Sequence, residues 1–104
     1  MCDSRNIDQL IASGHLAGAV KLLDETIAGA MNGEEFKAGD EQARRNVADL
    51  YFRRGKLYWR LGERSRATND YARAAELDPD GPATMALEQA RDVESFFNPD
   101  LYNP

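Results

Sequence analysis

The sequence is poor in the residues that most often carry chemistry or cross-links. Its 104 residues include one cysteine, Cys2, and one histidine, His15. A single thiol cannot form an internal disulfide or supply the several thiolate ligands of a structural zinc site. The chain also lacks a Gly-rich phosphate loop and any metal-ligand spacing, so we expect no catalytic residue, no metal site and no cofactor. These absences indicate a protein that is not an enzyme.

Long apolar runs are missing as well. No run approaches the roughly 20 residues that a membrane-spanning helix needs, and the first residues do not have the pattern of a secretory signal. The hydrophobic fraction is 42% and the charged fraction 30%, which is typical of a globular chain. We therefore expect one soluble domain over 1–104, located in the cytoplasm and without membrane contact.

Charge of one sign is concentrated in one part of the chain. The formal net charge is -5, yet residues 44–73 carry nine Lys or Arg against three Asp or Glu. This basic middle segment could attract an anionic partner such as nucleic acid, or its charges could be balanced within the molecule. Because the protein as a whole is acidic, nucleic acid is the less favoured partner.

Apolar residues recur at three- and four-residue steps through most of the sequence, which is typical of amphipathic helices. Glycine and proline punctuate this pattern, and Asp40 is placed to cap the longest helix. The predicted units are a first hairpin over 5–29 turning near Gly14, an irregular connection over 30–40, a second hairpin over 41–79 turning at Gly62, a capping helix over 82–97 and a tail over 98–104.

The second hairpin carries a recognisable motif. Its residues in order are Tyr51-x-x-Arg54-Gly55-x-x-Tyr58, Leu61-Gly62, Ala67-x-x-x-Tyr71, Ala74 and Pro79. The small residues allow two helices to approach closely, and the aromatic residues fill the space between hairpins. This motif resembles the 34-residue signature of the tetratricopeptide repeat family, in its small bacterial-type form.

The resemblance implies an all-α fold in which antiparallel helix hairpins stack as a short right-handed α-α superhelix with a C-terminal capping helix. The first hairpin fits the signature less well. Aligning Gly14 with Gly62 places Ala19 opposite Ala67, but Thr26 stands where the signature has a small residue. We interpret the first hairpin as a degenerate repeat.

The resemblance also implies a function, since first helices of such hairpins line a groove that holds a peptide. It predicts a protein–protein interaction module, or adaptor, that binds a peptide or protein segment in this groove. Aromatic rings supply apolar area and cations hold carboxylates. The residues at the groove positions are Asp49, Phe52, Lys56, Trp59 and Arg60. On the capping helix, Ala83, Ala86 and Ala90 are expected to form a smooth wall of the groove.

Two alternatives remain open from the sequence. Phe52 and Trp59 could instead be core residues, covered by residues 28–40 or by the tail with its Leu101 and Tyr102. The tail could also dock into a second copy, and open hairpin edges could make the chain a self-associating structural module. Recognition of a chaperone C-terminus is not expected, because Phe52 and Lys56 stand where that clamp needs Lys and Asn.

Overall fold

The computed structural model describes residues 4–97, with side chains described for residues 6–92. Cys2, the predicted tail over 98–104 and the side chains of Phe96 and Phe97 lie outside the described residues. Between residues 4 and 97 the structure is all-α, without strands. Its six helices are α1 (Ser4–Ala12), α2 (Leu16–Met31), α3 (Glu34–Lys37), α4 (Glu41–Arg60), α5 (Arg64–Leu77) and α6 (Pro82–Phe97).

The helices form two antiparallel hairpins, α1–α2 and α4–α5, followed by α6, as the sequence predicts. Both hairpins turn at a glycine in the left-handed region: Gly14 has φ 83° and Gly62 has φ 82°. The same backbone hydrogen bonds close the two turns. His15 N donates to the Leu10 carbonyl at 2.8 Å, and Glu63 N donates to the Tyr58 carbonyl at 2.9 Å. This is the Schellman arrangement, in which glycine avoids the Cβ clash of a left-handed residue.

Helix α4 is the longest helix, and its start has the predicted cap. The Asp40 carboxylate accepts a hydrogen bond from Ala43 N at 2.9 Å. This bond satisfies one of the amide groups that the first turn of a helix leaves without a partner. The inner side of α4 then packs on α2 and α5, with Val47 and Leu57 buried. Leu61, at the turn of this hairpin, is 42% exposed, because it follows the last residue of α4 and borders an open cleft beside Ala17.

The connection between the hairpins is more regular than the sequence predicts. Helix α2 continues to Met31, and residues 34–37 form the one-turn helix α3. Two acidic residues, Glu34 and Glu35, occupy the first turn of α3, where their negative charges interact favourably with the positive end of the helix dipole. Tyr51 Oη donates to Met31 Sδ at 3.4 Å, so the end of α2 is attached to α4.

Helix α6 begins at Pro82, whose missing amide hydrogen is not needed in a first turn. Two of the three alanines that were expected to form a smooth groove wall are almost fully buried. Ala83 and Ala90 are each 3% exposed, in clusters with Ala74 and Tyr71 respectively, whereas Ala86 is half-buried. Their small side chains allow α6 to approach α4 and α5 closely, so they belong to the core.

No helix within residues 4–97 combines the length and the apolar character that crossing a membrane requires.

Candidate functional site

The five residues predicted as groove residues lie on one face of α4. We call this surface, made of Asp49, Phe52, Lys56, Trp59 and Arg60, the α4 outer face. Steps of three and four residues keep side chains on one side of a helix. The residues do not share a single groove, however. They border three separate clefts, two toward α6 and one toward α1.

The first cleft lies where α4 meets the start of α6, and we call it the Phe52 cleft. Phe52 is half-buried, and its ring centroid lies 5.8 Å from that of Tyr71 with the planes tilted by 43°. Ala48, Ala74 and Ala83 form the apolar surface around it. Asp49 is on the rim and pairs with Arg53 at 3.0 Å.

The second cleft, the Trp59 cleft, lies further along the same two helices. It is bordered by Trp59, Tyr71, Ala86, Gln89 and Ala90. Trp59 is half-buried, and the guanidinium carbon of Arg64 lies 5.4 Å from the centre of its ring. The packing partners of Phe52 and Trp59 thus come from α4, α5 and α6, rather than from the connection over 28–40. Each ring contributes to the core and leaves part of its surface exposed.

The third cleft, the Lys56 cleft, lies between α1 and α4 and has a volume of about 310 Å³. Its residues are Asp8, Ile11, Arg53, Lys56, Leu57 and Arg60. Lys56 Nζ lies 5.4 Å from the centre of the Phe52 ring. Within the part of the chain that the structure describes, neither Lys56 nor Arg60 has a carboxylate within ion-pair distance. The contribution of α1 is not predictable from local sequence patterns, because it depends on how the two hairpins stack.

Behind the outer face, Arg54 joins three helices. Its guanidinium donates two hydrogen bonds of 2.8 Å to Asp70 on α5 and one of 2.8 Å to Asp24 on α2. Asp70 is 5% exposed, so Arg54 supplies the charge that this buried carboxylate needs. The hydrogen bond to Asp70 is the main cause that raises the pKa of Arg54 above its ordinary value.

Two tyrosines complete this cluster. The guanidinium carbon of Arg54 lies 5.2 Å from the ring centre of Tyr51 and 5.7 Å from that of Tyr58. Burial, with the nearby charge of Asp70, raises the pKa of Tyr71. The repeat motif in the sequence includes Arg54 and the tyrosines but does not include Asp24. The bridge to Asp24 spans 30 residues and is not visible from local spacing.

Many charges of the basic middle segment are balanced by neighbouring carboxylates. The ion pairs join Arg45 to Glu41, Arg53 to Asp49, Arg54 to Asp24 and Asp70, Arg66 to Glu63, and Arg73 to Glu76. These pairs include five of the nine Lys and Arg residues of the segment 44–73. Lys56 and Arg60, which have no such ion pair among the described residues, therefore differ from most of the other cations in this segment.

The structure offers no site for metal chemistry in residues 4–97. No group of three or more His, Cys, Asp or Glu side chains there could hold a metal ion. His15 is exposed in the first turn, with Nδ1 3.0 Å from Ser13 Oγ. It occupies the N-cap position of α2.

Comparisons with known proteins agree with this architecture. Residues 48–80 match the family model described as tetratricopeptide repeat. A protein of Bacteroides fragilis, with a structure determined in solution by NMR, is similar over 99% of this chain and 91% of its own. The two chains are 29% identical, and their structures superpose with a TM-score of 0.73. No curated protein matches the chain.

Proposed function

We propose that this chain is an adaptor that holds a segment of another protein against the α4 outer face, because residues 48–80 match the tetratricopeptide repeat model. Repeats of this family are generally protein-interaction modules rather than enzymes, and we propose no catalytic step for this one. The observation that carries the proposal is the partial exposure of Phe52 and Trp59 beside Lys56 and Arg60 on one helix face.

The physical properties of this face suit a protein ligand. Half-buried aromatic rings offer apolar area and lose little rotamer freedom on binding, because neighbouring residues already hold them. In this chain the Phe52 ring packs on Tyr71, and the Trp59 ring lies beside Arg64. Exposed cations next to such rings add charge recognition and orientation. A peptide or a helix lying along α4 would contact both kinds of group.

The first hairpin supports the α4 outer face from the α1 side, and we propose that it is a diverged repeat of the same kind. Its support is the pair of equivalent turns at Gly14 and Gly62, which share conformation and hydrogen bonding. Residues 1–104 would then form a single interaction domain of two repeats and a capping helix.

Affinity capture from a lysate of the source organism tests the adaptor proposal. The wild type is compared with Trp59→Ala and with the double variant Lys56→Glu/Arg60→Glu, after circular dichroism has established that each is folded. Met85→Ala is the matched control, because Met85 is an apolar residue of α6 with 66% of its surface exposed. Partners of the outer face should be recovered with the wild type and the control but lost with Trp59→Ala.

Equal recovery of every prey by all four proteins would contradict the proposed site. Recovery of only further copies of the chain would favour the self-associating alternative.

A further inference from the structure

The Lys56 cleft differs in chemistry from the two aromatic clefts that border the α4 outer face. We propose that the Lys56 cleft binds an acidic segment of a partner protein, with a carboxylate at Lys56 and Arg60 and a neighbouring apolar side chain against Ile11 and Leu57. This inference rests on the proposed function and names the class of ligand that the face selects.

Charge is the first argument. Lys56 and Arg60 border the cleft without an ion-pair partner among the described residues, whereas Arg53 on the same rim is paired with Asp49. The protein carries a net charge of -5, so this positive rim stands out against an acidic molecule. A carboxylate that approaches the rim gains attraction from both cations, and an anionic segment would be oriented toward this side of the protein.

Shape and polarity provide the second argument. The cleft is about 310 Å³ in volume, and Ile11 and Leu57 give it apolar surface between the charged side chains. Leu57 is 3% exposed and anchored in the core, so the floor is rigid. A cleft of this size can take an apolar side chain together with adjacent main chain. Apolar contact excludes water from the neighbouring ion pairs, which strengthens them.

The same features favour a protein segment over nucleic acid. Affinity for nucleic acid depends on a series of cations that neutralise successive phosphates. Here carboxylates lie among the cations, since Asp8 borders the same cleft and Asp49 pairs with Arg53. A repeating row of phosphates would meet these acids, whereas a peptide with one or two carboxylates would not. The apolar floor also has no counterpart in phosphate recognition.

Peptide selection tests the ligand class directly. A phage library of random twelve-residue peptides is selected on the immobilised wild-type protein, and the enriched sequences are made as fluorescein-labelled peptides. Their dissociation constants are measured by fluorescence anisotropy for the wild type, Lys56→Glu/Arg60→Glu and Trp59→Ala. The matched control is Lys21→Glu/Lys37→Glu, which makes the same change of charge at two exposed lysines on α2 and α3.

We expect enrichment of Asp or Glu next to a Leu, Ile, Val, Met or Phe. Charge reversal at Lys56 and Arg60 replaces two attractions by two repulsions, so affinity should fall by about tenfold or more. The Lys21→Glu/Lys37→Glu control should change affinity by less than about twofold, since neither lysine borders the cleft and charges of exposed side chains are screened by salt.

The contrary outcomes are distinct from one another. Enriched peptides that lack acidic residues, lose affinity with Trp59→Ala and bind Lys56→Glu/Arg60→Glu normally would overturn the acidic-ligand inference while leaving the adaptor proposal intact. Absence of any enrichment on the wild type would count against both. Tighter binding of a labelled 20-nucleotide single-stranded DNA than of any selected peptide, lost with Lys56→Glu/Arg60→Glu, would assign the cleft to nucleic acid instead.

Discussion

The close contact between α4 and α5 at Gly55 makes a sharp stability prediction. A Cβ atom at this position would lie 2.8 Å from Tyr71 Cε1, 2.9 Å from Tyr71 Cδ1 and 3.2 Å from the Ala67 carbonyl oxygen. Tyr71 is 6% exposed and packs against Phe52, so its ring has little room to move. Gly55→Ala therefore requires the two helices to separate.

Two opposing effects set the magnitude. Overpacking a well-packed core costs about 1–3 kcal/mol, and alanine is more favourable than glycine in a helix interior by about 1 kcal/mol. Because both a buried ring and a backbone carbonyl oppose the new methyl group, we place the cost at the upper part of its range. Gly55→Ala should then lower the free energy of unfolding by about 1–2 kcal/mol, measured by urea denaturation followed by far-UV circular dichroism.

Gly29→Ala provides the matched control within the same fold. Gly29 lies in α2, and a Cβ atom there would have no neighbouring atom within 4 Å. Only the helix propensity changes, so this variant should be more stable than the wild type by about 0.5–1 kcal/mol. The close approach of α4 and α5 at Gly55 thus predicts that the two substitutions change the free energy of unfolding in opposite directions. A Gly55→Ala protein as stable as Gly29→Ala would refute this reasoning.

Three further predictions concern the buried ion pair, the buried tyrosine and the helix cap. Arg54→Met leaves Asp70 buried without a partner and should lower the free energy of unfolding by about 3–5 kcal/mol. Asp24 is half-exposed, so Asp24→Asn should lower it by less than about 1 kcal/mol. Equal losses in urea denaturation would contradict these different roles of the two carboxylates. Burial raises the pKa of Tyr71, so the unfolded chain ionises first and stability should decline as pH rises above about 10. Tyr71→Phe should show a shallower decline in urea titrations at pH 9 to 11, and an unchanged slope would argue against this assignment. Asp40→Ala removes the cap of α4 and should lower the free energy of unfolding by about 1 kcal/mol. Asp40→Asn should retain most of the stability, because its amide oxygen can accept the same hydrogen bond. Thermal melts that do not distinguish the two variants would argue against the cap.

The elements that the sequence predicted are those with local signals. Helix boundaries are marked by Gly62, Pro79 and the cap residue Asp40. Each of these acts through its own backbone or through the next turn, so its effect is visible in the local sequence. Helix α3 was missed for a related reason, since its four residues are too few for an apolar period to appear.

Features that depend on hairpin stacking could not be predicted in the same way. The grouping of residues on the α4 outer face follows from helical spacing, but their division among three clefts depends on where α1 and α6 lie. Asp8 and Ile11 border the Lys56 cleft because of where α1 lies in the fold, which no local spacing encodes. Ala83 and Ala90 were expected in a smooth groove wall and are buried instead, because small residues fit both a groove wall and a close helix contact.

The attachment of Arg54 to α2 and α5 has a consequence for the thermodynamics of recognition. Helix α4 is held from behind by carboxylates of two other helices, so its backbone has little conformational entropy left to lose when a ligand arrives. The entropy lost on association would come mainly from the incoming segment and from the long side chains of Lys56 and Arg60. Partners that are already extended or helical before they meet α4 should for this reason bind more tightly than flexible segments that make the same contacts.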